Sequence, residues 1–152
     1  MAESPSPIHA CNSTAMRKAA RRVTLLYDNA VGEAGIRSTQ FAILAAIDAA
    51  DGRPPTIKEL AHSLVMESSA LGHNLRPLER EGWVTLSAPD TDRRSRRLTL
   101  TPDGVAKVRE AERLWRAAQD RFEQVLGAKA AAALRVALLG IANDERLLTL
   151  DD

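Results

Sequence analysis

At 152 residues, with 45% hydrophobic and 27% charged residues, the chain has the size and composition of one globular domain. No apolar run approaches ~18 residues, which excludes a transmembrane helix. The N-terminus lacks the charged-then-apolar pattern of a secretion signal, so a cytoplasmic location is expected. The single cysteine, Cys11, cannot form an internal disulfide. Three histidines, His9, His62 and His73, have no partner at ligand spacing, so neither a metal nor a cofactor is expected.

Residues 1–12 carry Pro5 and Pro7 and no period, and read as an N-terminal arm. Asn12 or Ser13 then caps a helix running to about Glu33, with Met16, Ala19, Val23, Leu26, Tyr27, Ala30 and Val31 on one stripe. Gly32 and Gly35 end it. Ser38 is expected to cap a second helix to about Ala50, whose run from Phe41 is apolar nearly all round and therefore buried. The stretch Asp51 to Pro55 breaks that helix. Thr56 with Glu59 forms a capping box and opens a short helix that turns Ile57, Leu60, Ala61 and Leu64 inward. After a turn at Val65 to Glu67, another helix carries Leu71, Leu75 and Leu78 and ends by Gly82. Pro77 removes a hydrogen bond to the His73 carbonyl and is expected to kink or end this helix.

The period then changes from helical to alternating. Trp83 to Leu86 and Arg97 to Leu100 read as two strands around a polar loop, a hairpin with a long tip. Thr101-Pro102 supplies an N-cap and a proline at the first helical position. The helix from about Pro102 to Leu126 carries Val108, Ala111, Trp115, Ala118, Phe122 and Val125 at 3-4 spacing, a heptad seam expected to pair two chains. An alanine-rich helix follows from Ala128 to about Arg146. The implied organisation is an arm (1–12), a first dimerisation helix (13–37), a core (38–101) and C-terminal dimerisation helices (102–152).

Two short helices, a tight turn and a hairpin give a winged helix-turn-helix, so the fold class is mainly α with a small β-hairpin wing. At 100° per residue, Leu71, Leu75 and Leu78 fall on one face of the second short helix. Ser69, His73, Arg76 and Arg80 fall opposite, with Gly72 on the flank. All four opposite side chains can hydrogen-bond, and the small residues at the N-terminal half let the helix approach a groove closely. Ser68 and Ser69 suit phosphate or base contacts near the helix start.

The formal net charge is only +1, but 17 of the 21 basic residues are arginine, the side chain whose planar fork meets phosphate and base edges. Arg93, Arg94, Arg96 and Arg97 fall within five positions at the hairpin tip. Such a loop tracks phosphates or places an arginine in a narrow minor groove. Aromatic residues make up only 3%, too few for a platform that stacks single-stranded bases. The DNA-contact set is therefore Ser68, Ser69, Gly72, His73, Arg76, Arg93, Arg94 and Arg96, and the partner is double-stranded DNA.

The segments Pro77 to Val84 and Asp92 to Gly104 resemble the core of MarR-type transcriptional regulators, with the wing signature Asp-x-Arg, a strand ending Leu-Thr, and x-x-Gly. The flanking helices fall in the same order. The resemblance implies a homodimeric repressor on an imperfectly palindromic operator, released by a small phenolic or other anionic effector, or by cysteine oxidation. It places Arg94 in the minor groove with Asp92 orienting it, and Ser68, Ser69, His73 and Arg76 at the major groove. His73 stands where many relatives carry arginine. It also implies an effector pocket between the first, second and long C-terminal helices, which His9, Arg17 and Trp115 approach. Redox sensing through Cys11 is the alternative trigger, although Cys11 lies just ahead of the sensing position. A winged-helix protein-interaction module is the other alternative. The chain shows no phosphate loop and no nucleophile motif, and it is not expected to be an enzyme.

Overall fold

A computed structural model describes residues 7–50, 52–87 and 96–150. A single helical turn, α1 (Pro7–Ala10), precedes the long helix α2 (Asn12–Val31), which closes in a 3₁₀ turn at Gly32–Ala34. Then follow α3 (Ser38–Asp48), α4 (Ile57–Ser63), α5 (Ser68–Arg80), β1 (Val84–Ser87), β2 (Arg97–Leu100), α6 (Pro102–Leu126) and α7 (Ala128–Ala142). A 3₁₀ turn at Glu145–Leu148 comes last. The strands pair antiparallel, from Val84 opposite Leu100 to Ser87 opposite Arg97. Asp51 and the tip, residues 88–95, lie outside the described residues, and with them the expected loop break at Asp51 and the contacts of Asp92, Arg93 and Arg94.

Local chemistry explains most of the boundaries. The Thr56 hydroxyl accepts from the Glu59 amide at 3.2 Å while the Glu59 carboxylate accepts from the Thr56 amide at 2.8 Å, the capping box read from the sequence. Thr101 caps α6, its hydroxyl accepting from the Gly104 amide at 3.0 Å, with Pro102 in the first turn. Gly82 takes φ +74° and turns the chain from α5 into β1.

Three expectations change. Helix α2 is capped by Cys11, whose Sγ accepts from the Thr14 amide at 3.5 Å, so Asn12 and Ser13 already lie inside the helix. At α3 the cap position is Arg37, and the Gln40 side chain accepts from its amide at 2.9 Å. Ser38 gives both its amide (2.7 Å) and its hydroxyl (2.5 Å) to Asp28 Oδ1, tying α3 to α2. Pro77 does not end α5, which continues to Arg80. Only three residues follow it in the helix, and one of them, Leu78, is fully buried. The Glu81 amide still closes on the Pro77 carbonyl at 2.9 Å and the Trp83 amide on that of Leu78 at 3.0 Å. Packing outweighs one missing bond.

The core gathers Val31, Ile43, Leu44, Leu60, Leu71, Leu78 and Leu98, all at most 2% exposed, so the hairpin, the helix-turn-helix and α3 share one interior. The turn between α4 and α5 holds a strained residue. Val65 has φ +52°, a left-handed conformation that costs a non-glycine residue about 1–2 kcal/mol, and its side chain is 64% exposed, so little packing offsets that strain. Val65→Gly is therefore expected to stabilise the fold by up to about 1 kcal/mol, after the larger entropy of an unfolded glycine is set against the relieved strain. A raised urea midpoint at unchanged slope checks it, and a lowered midpoint would show that the valine side chain matters more than its backbone.

The heptad seam of α6 is mostly covered within one chain. Val108, Ala111 and Ala118 are buried within one chain, where α6 packs against α2 and α3, and only Val125 at the far end is largely exposed. The unpartnered apolar surface lies on α7. That helix is apolar nearly all round, yet only Ala131 is buried, while Val136, Leu138, Leu139 and Ile141 are exposed. No single helix is long and apolar enough to cross a membrane.

Candidate nucleic-acid interface

Helix α5 presents the two faces its sequence requires. Leu71, Leu75 and Leu78 are at most 3% exposed and anchor it to the core. Ser68, Ser69, His73, Arg76 and Arg80 are exposed on the other side, and Gly72 is half-buried between the faces. Their polar ends therefore reach outward from a helix whose position is fixed by three leucines, the requirement for reading base edges in a groove. Asn74 is turned back on its own helix, donating to the Ala70 carbonyl at 2.9 Å.

The wing is pinned to the helix-turn-helix by an arginine counted above among those at its tip. Arg97 donates through Nη1 to the Pro54 carbonyl at 2.7 Å and lies 3.8 Å from Glu59 Oε2. Its neighbour Leu98 donates its amide to the Pro55 carbonyl at 2.9 Å, and Thr56 forms an isolated bridge with Arg97. Arg97 is thus committed to holding the wing, whereas Arg96, one residue nearer the tip, is exposed. Hydrogen bonds from Thr56, backbone first and then hydroxyl, hold the Glu59 carboxyl below its ordinary value, and Arg97 and Arg53 add to the effect. Lys107 on α6 completes the anchoring. It donates to the Ala34 carbonyl at 2.9 Å, pairs with Glu110 at 2.7 Å and lies 5.0 Å from the ring centre of Trp83, the residue that leads into β1.

A second feature, a cavity of about 620 Å³, lies between α2, α3 and α6. Phe41, Ala45, Val108 and Trp115 form its apolar walls, with Tyr27, Ser38, Asp48, Arg109 and Glu112 among its polar lining. Its size suits a small organic molecule. Of the residues expected near a pocket, Trp115 lines it, its ring centre 6.4 Å from that of Phe41. Arg17 is exposed on α2 and is not part of the lining, and the His9 side chain lies outside the described ones. Sequence reasoning missed Tyr27, Phe41, Asp48 and Glu112 because they come from three helices far apart in the chain. Only the aromatic residues, scarce at 3%, offered a signal.

Cys11 is half-buried at the start of α2, and its hydrogen bonds with Thr14 lower the thiol pKa from its ordinary value. It is the one cysteine of the sequence, so no intramolecular disulfide is open to it.

Comparison with known proteins agrees with this architecture. The model of the MarR family matches residues 34–95, from the 3₁₀ turn after α2 to just short of β2. The transcriptional regulator MosR of M. tuberculosis is 32% identical, with 89% of this chain and 96% of that one covered at a TM-score of 0.76. The transcriptional repressor CouR, bound to a 23-mer DNA duplex, is 27% identical over 92% of this chain and 98% of its own, with a TM-score of 0.79. A second structure of CouR, bound to p-coumaroyl-CoA, aligns at 23% identity over 93% and 99%, with a TM-score of 0.80, and shares the fold. No curated protein matches the chain. With a family model laid over its helix-turn-helix and a regulator one-third identical along almost its whole length, the chain belongs to the MarR family of transcriptional regulators.

Proposed function

We propose that the protein is a dimeric, sequence-specific DNA-binding repressor that leaves its operator when a small molecule enters the cavity between α2, α3 and α6. The observation that carries this reading is the exposed stripe Ser68, Ser69, His73 and Arg76, set opposite the buried leucines of α5 and beside an arginine-bearing wing. In this reading the stripe and Gly72 face the major groove, Arg93, Arg94 and Arg96 serve the phosphates and minor groove, and two α5 helices of a homodimer meet successive half-sites of an imperfect palindrome. The DNA complex of CouR supports the first part, and the p-coumaroyl-CoA complex of that repressor supports the second. Catalysis has no part in it.

Arg76→Ala tests the assignment. It is expected to cost about 1–3 kcal/mol on the preferred duplex and much less on a scrambled one, because a base contact carries sequence information. Arg94→Ala should instead weaken both duplexes alike and lower the salt slope by about 1, as loss of a backbone contact does. Anisotropy titrations at several salt concentrations read both effects. Equal losses on the two duplexes for Arg76→Ala would overturn its role in discrimination.

A further inference from the structure

Lys107 places a charge where packing alone would choose an apolar side chain. On α6 it stands three residues after Gly104 and four before Ala111, both buried, and its own side chain is only 18% exposed. Taking an ammonium out of water is costly, and lysines are seldom covered unless they are paired. This one has a partner for each of its three protons. It donates to the Ala34 carbonyl at 2.9 Å and to Glu110 Oε2 at 2.7 Å, and it lies 5.0 Å from the ring centre of Trp83. Neither the residues proposed to touch DNA nor the lining of the cavity between α2, α3 and α6 includes it. Its partners belong to three parts of the fold. Ala34 closes the turn after α2, Glu110 is on α6, and Trp83 joins α5 to the wing, its amide bonded to the Leu78 carbonyl at 3.0 Å. One turn earlier, Gly104 lets α6 lie directly on the Trp83 backbone. Helix α6 therefore holds the exit of α5 by backbone and by ring, and through Lys107 it ties that exit to the end of α2. A covered ion pair adds little stability over an apolar side chain of similar volume, because desolvation offsets its attraction. What three directional partners add is a defined angle between the elements they join.

We propose that Lys107 is a positioning residue for DNA binding, which fixes α5 relative to α2 and α6 and thereby sets the half-site spacing that a dimer accepts. The inference rests on the dimeric DNA-binding reading above. Helix α6 runs on through Gly127 into α7, the helix with the uncovered apolar surface, so it links the reading helix to the surface where two copies would meet. The angle of α5 to α6 then fixes both the distance and the rotation between the two reading helices. One base pair more or less between half-sites moves one of them by about 3.4 Å and turns it by about 35°. A stiff joint rejects such a duplex, and a loosened joint follows it.

The probe is the duplex that the parent selects from a random pool, remade with its centre lengthened or shortened by one base pair, and also cut down to one half-site. Lys107→Met keeps the stem and removes the charge. It is expected to narrow the preference for the selected spacing by about tenfold, the scale of one hydrogen bond to a charged group. At low salt it should bind the single half-site as tightly as the parent does. Glu110→Ala removes one partner from a half-exposed position and should narrow the preference in the same direction, by about threefold. If Lys107→Met does not fold, Glu110→Ala decides alone. An equal loss on every duplex, the single half-site included, would show a structural role and overturn the proposal. Two selected half-sites with an unchanged spacing preference in the variants would overturn it too, and leave the DNA reading standing. Selection of single half-sites bound by one chain would overturn the dimeric reading and the proposal together.

Discussion

Val136→Glu combined with Leu139→Glu is expected to leave each chain folded, to convert the dimer into monomers and to lower affinity for the operator by about a hundredfold or more, the scale on which a second linked site contributes. The reason is the mismatch between the composition of α7 and its burial. A helix apolar nearly all round belongs in an interior, yet within one chain only Ala131 is covered, and Val136 and Leu139 are 72% and 55% exposed. In the dimer proposed above, a second copy would cover that surface and, through a two-fold axis, carry two α5 helices to one side of the duplex. Neither residue belongs to the proposed DNA-contact set, so a loss of affinity that accompanies monomer formation reports assembly. Sedimentation velocity at micromolar concentration and anisotropy on the operator read the two effects together. A variant that stays dimeric, or monomers that keep full affinity, would show that α7 does not join the chains.

Gly104→Ala should destabilise the fold by about 3 kcal/mol, the upper end of the usual cost of overpacking, because the atoms it meets cannot move aside. In an ordinary helix the same change is favourable by about 1 kcal/mol. Here a Cβ would lie 2.0 Å from the Trp83 carbonyl oxygen and 2.9 Å from its carbon, both backbone atoms. That backbone is held in place, since the Thr101 amide donates to the Trp83 carbonyl at 3.0 Å and the Thr101 hydroxyl to that of Gly82 at 2.6 Å. The glycine of the wing signature is therefore the contact that lets α6 start directly against the entry to β1. Gly32→Ala is the control. Gly32 has φ −59° and nothing within 4 Å of its added Cβ, so it should unfold at or slightly above the urea midpoint of the parent. Similar midpoints for the two variants would remove the close approach as an explanation for Gly104.

Much of the winged helix-turn-helix was legible in the sequence because its signals are local. Thr56 and Glu59, or Thr101 and Gly104, meet within one helical turn whatever the rest of the chain does. The leucine stripe of α5 needs only a helical period to face inward, and it fixes the outward stripe at the same time. The arginine cluster was legible as charge but not as roles. Arg97 is indistinguishable from Arg96 until the fold brings Pro54 and Glu59 beside it. The seam of α6 was legible as a stripe, but its partner was not, because a 3-4 spacing states that a face is covered and leaves open by which helix. In the fold α2 and α3 of the same chain cover it, and the uncovered surface moves to α7. The cavity was the least visible. Tyr27, Asp48 and Glu112 stand on three helices, and their remaining hydrogen-bonding capacity depends on which neighbour each meets, Gln119 for Tyr27 and Arg116 for Glu112. Periodicity and capping act over a few residues and are fixed by the chain itself, whereas contacts between distant segments exist only once packing has chosen them.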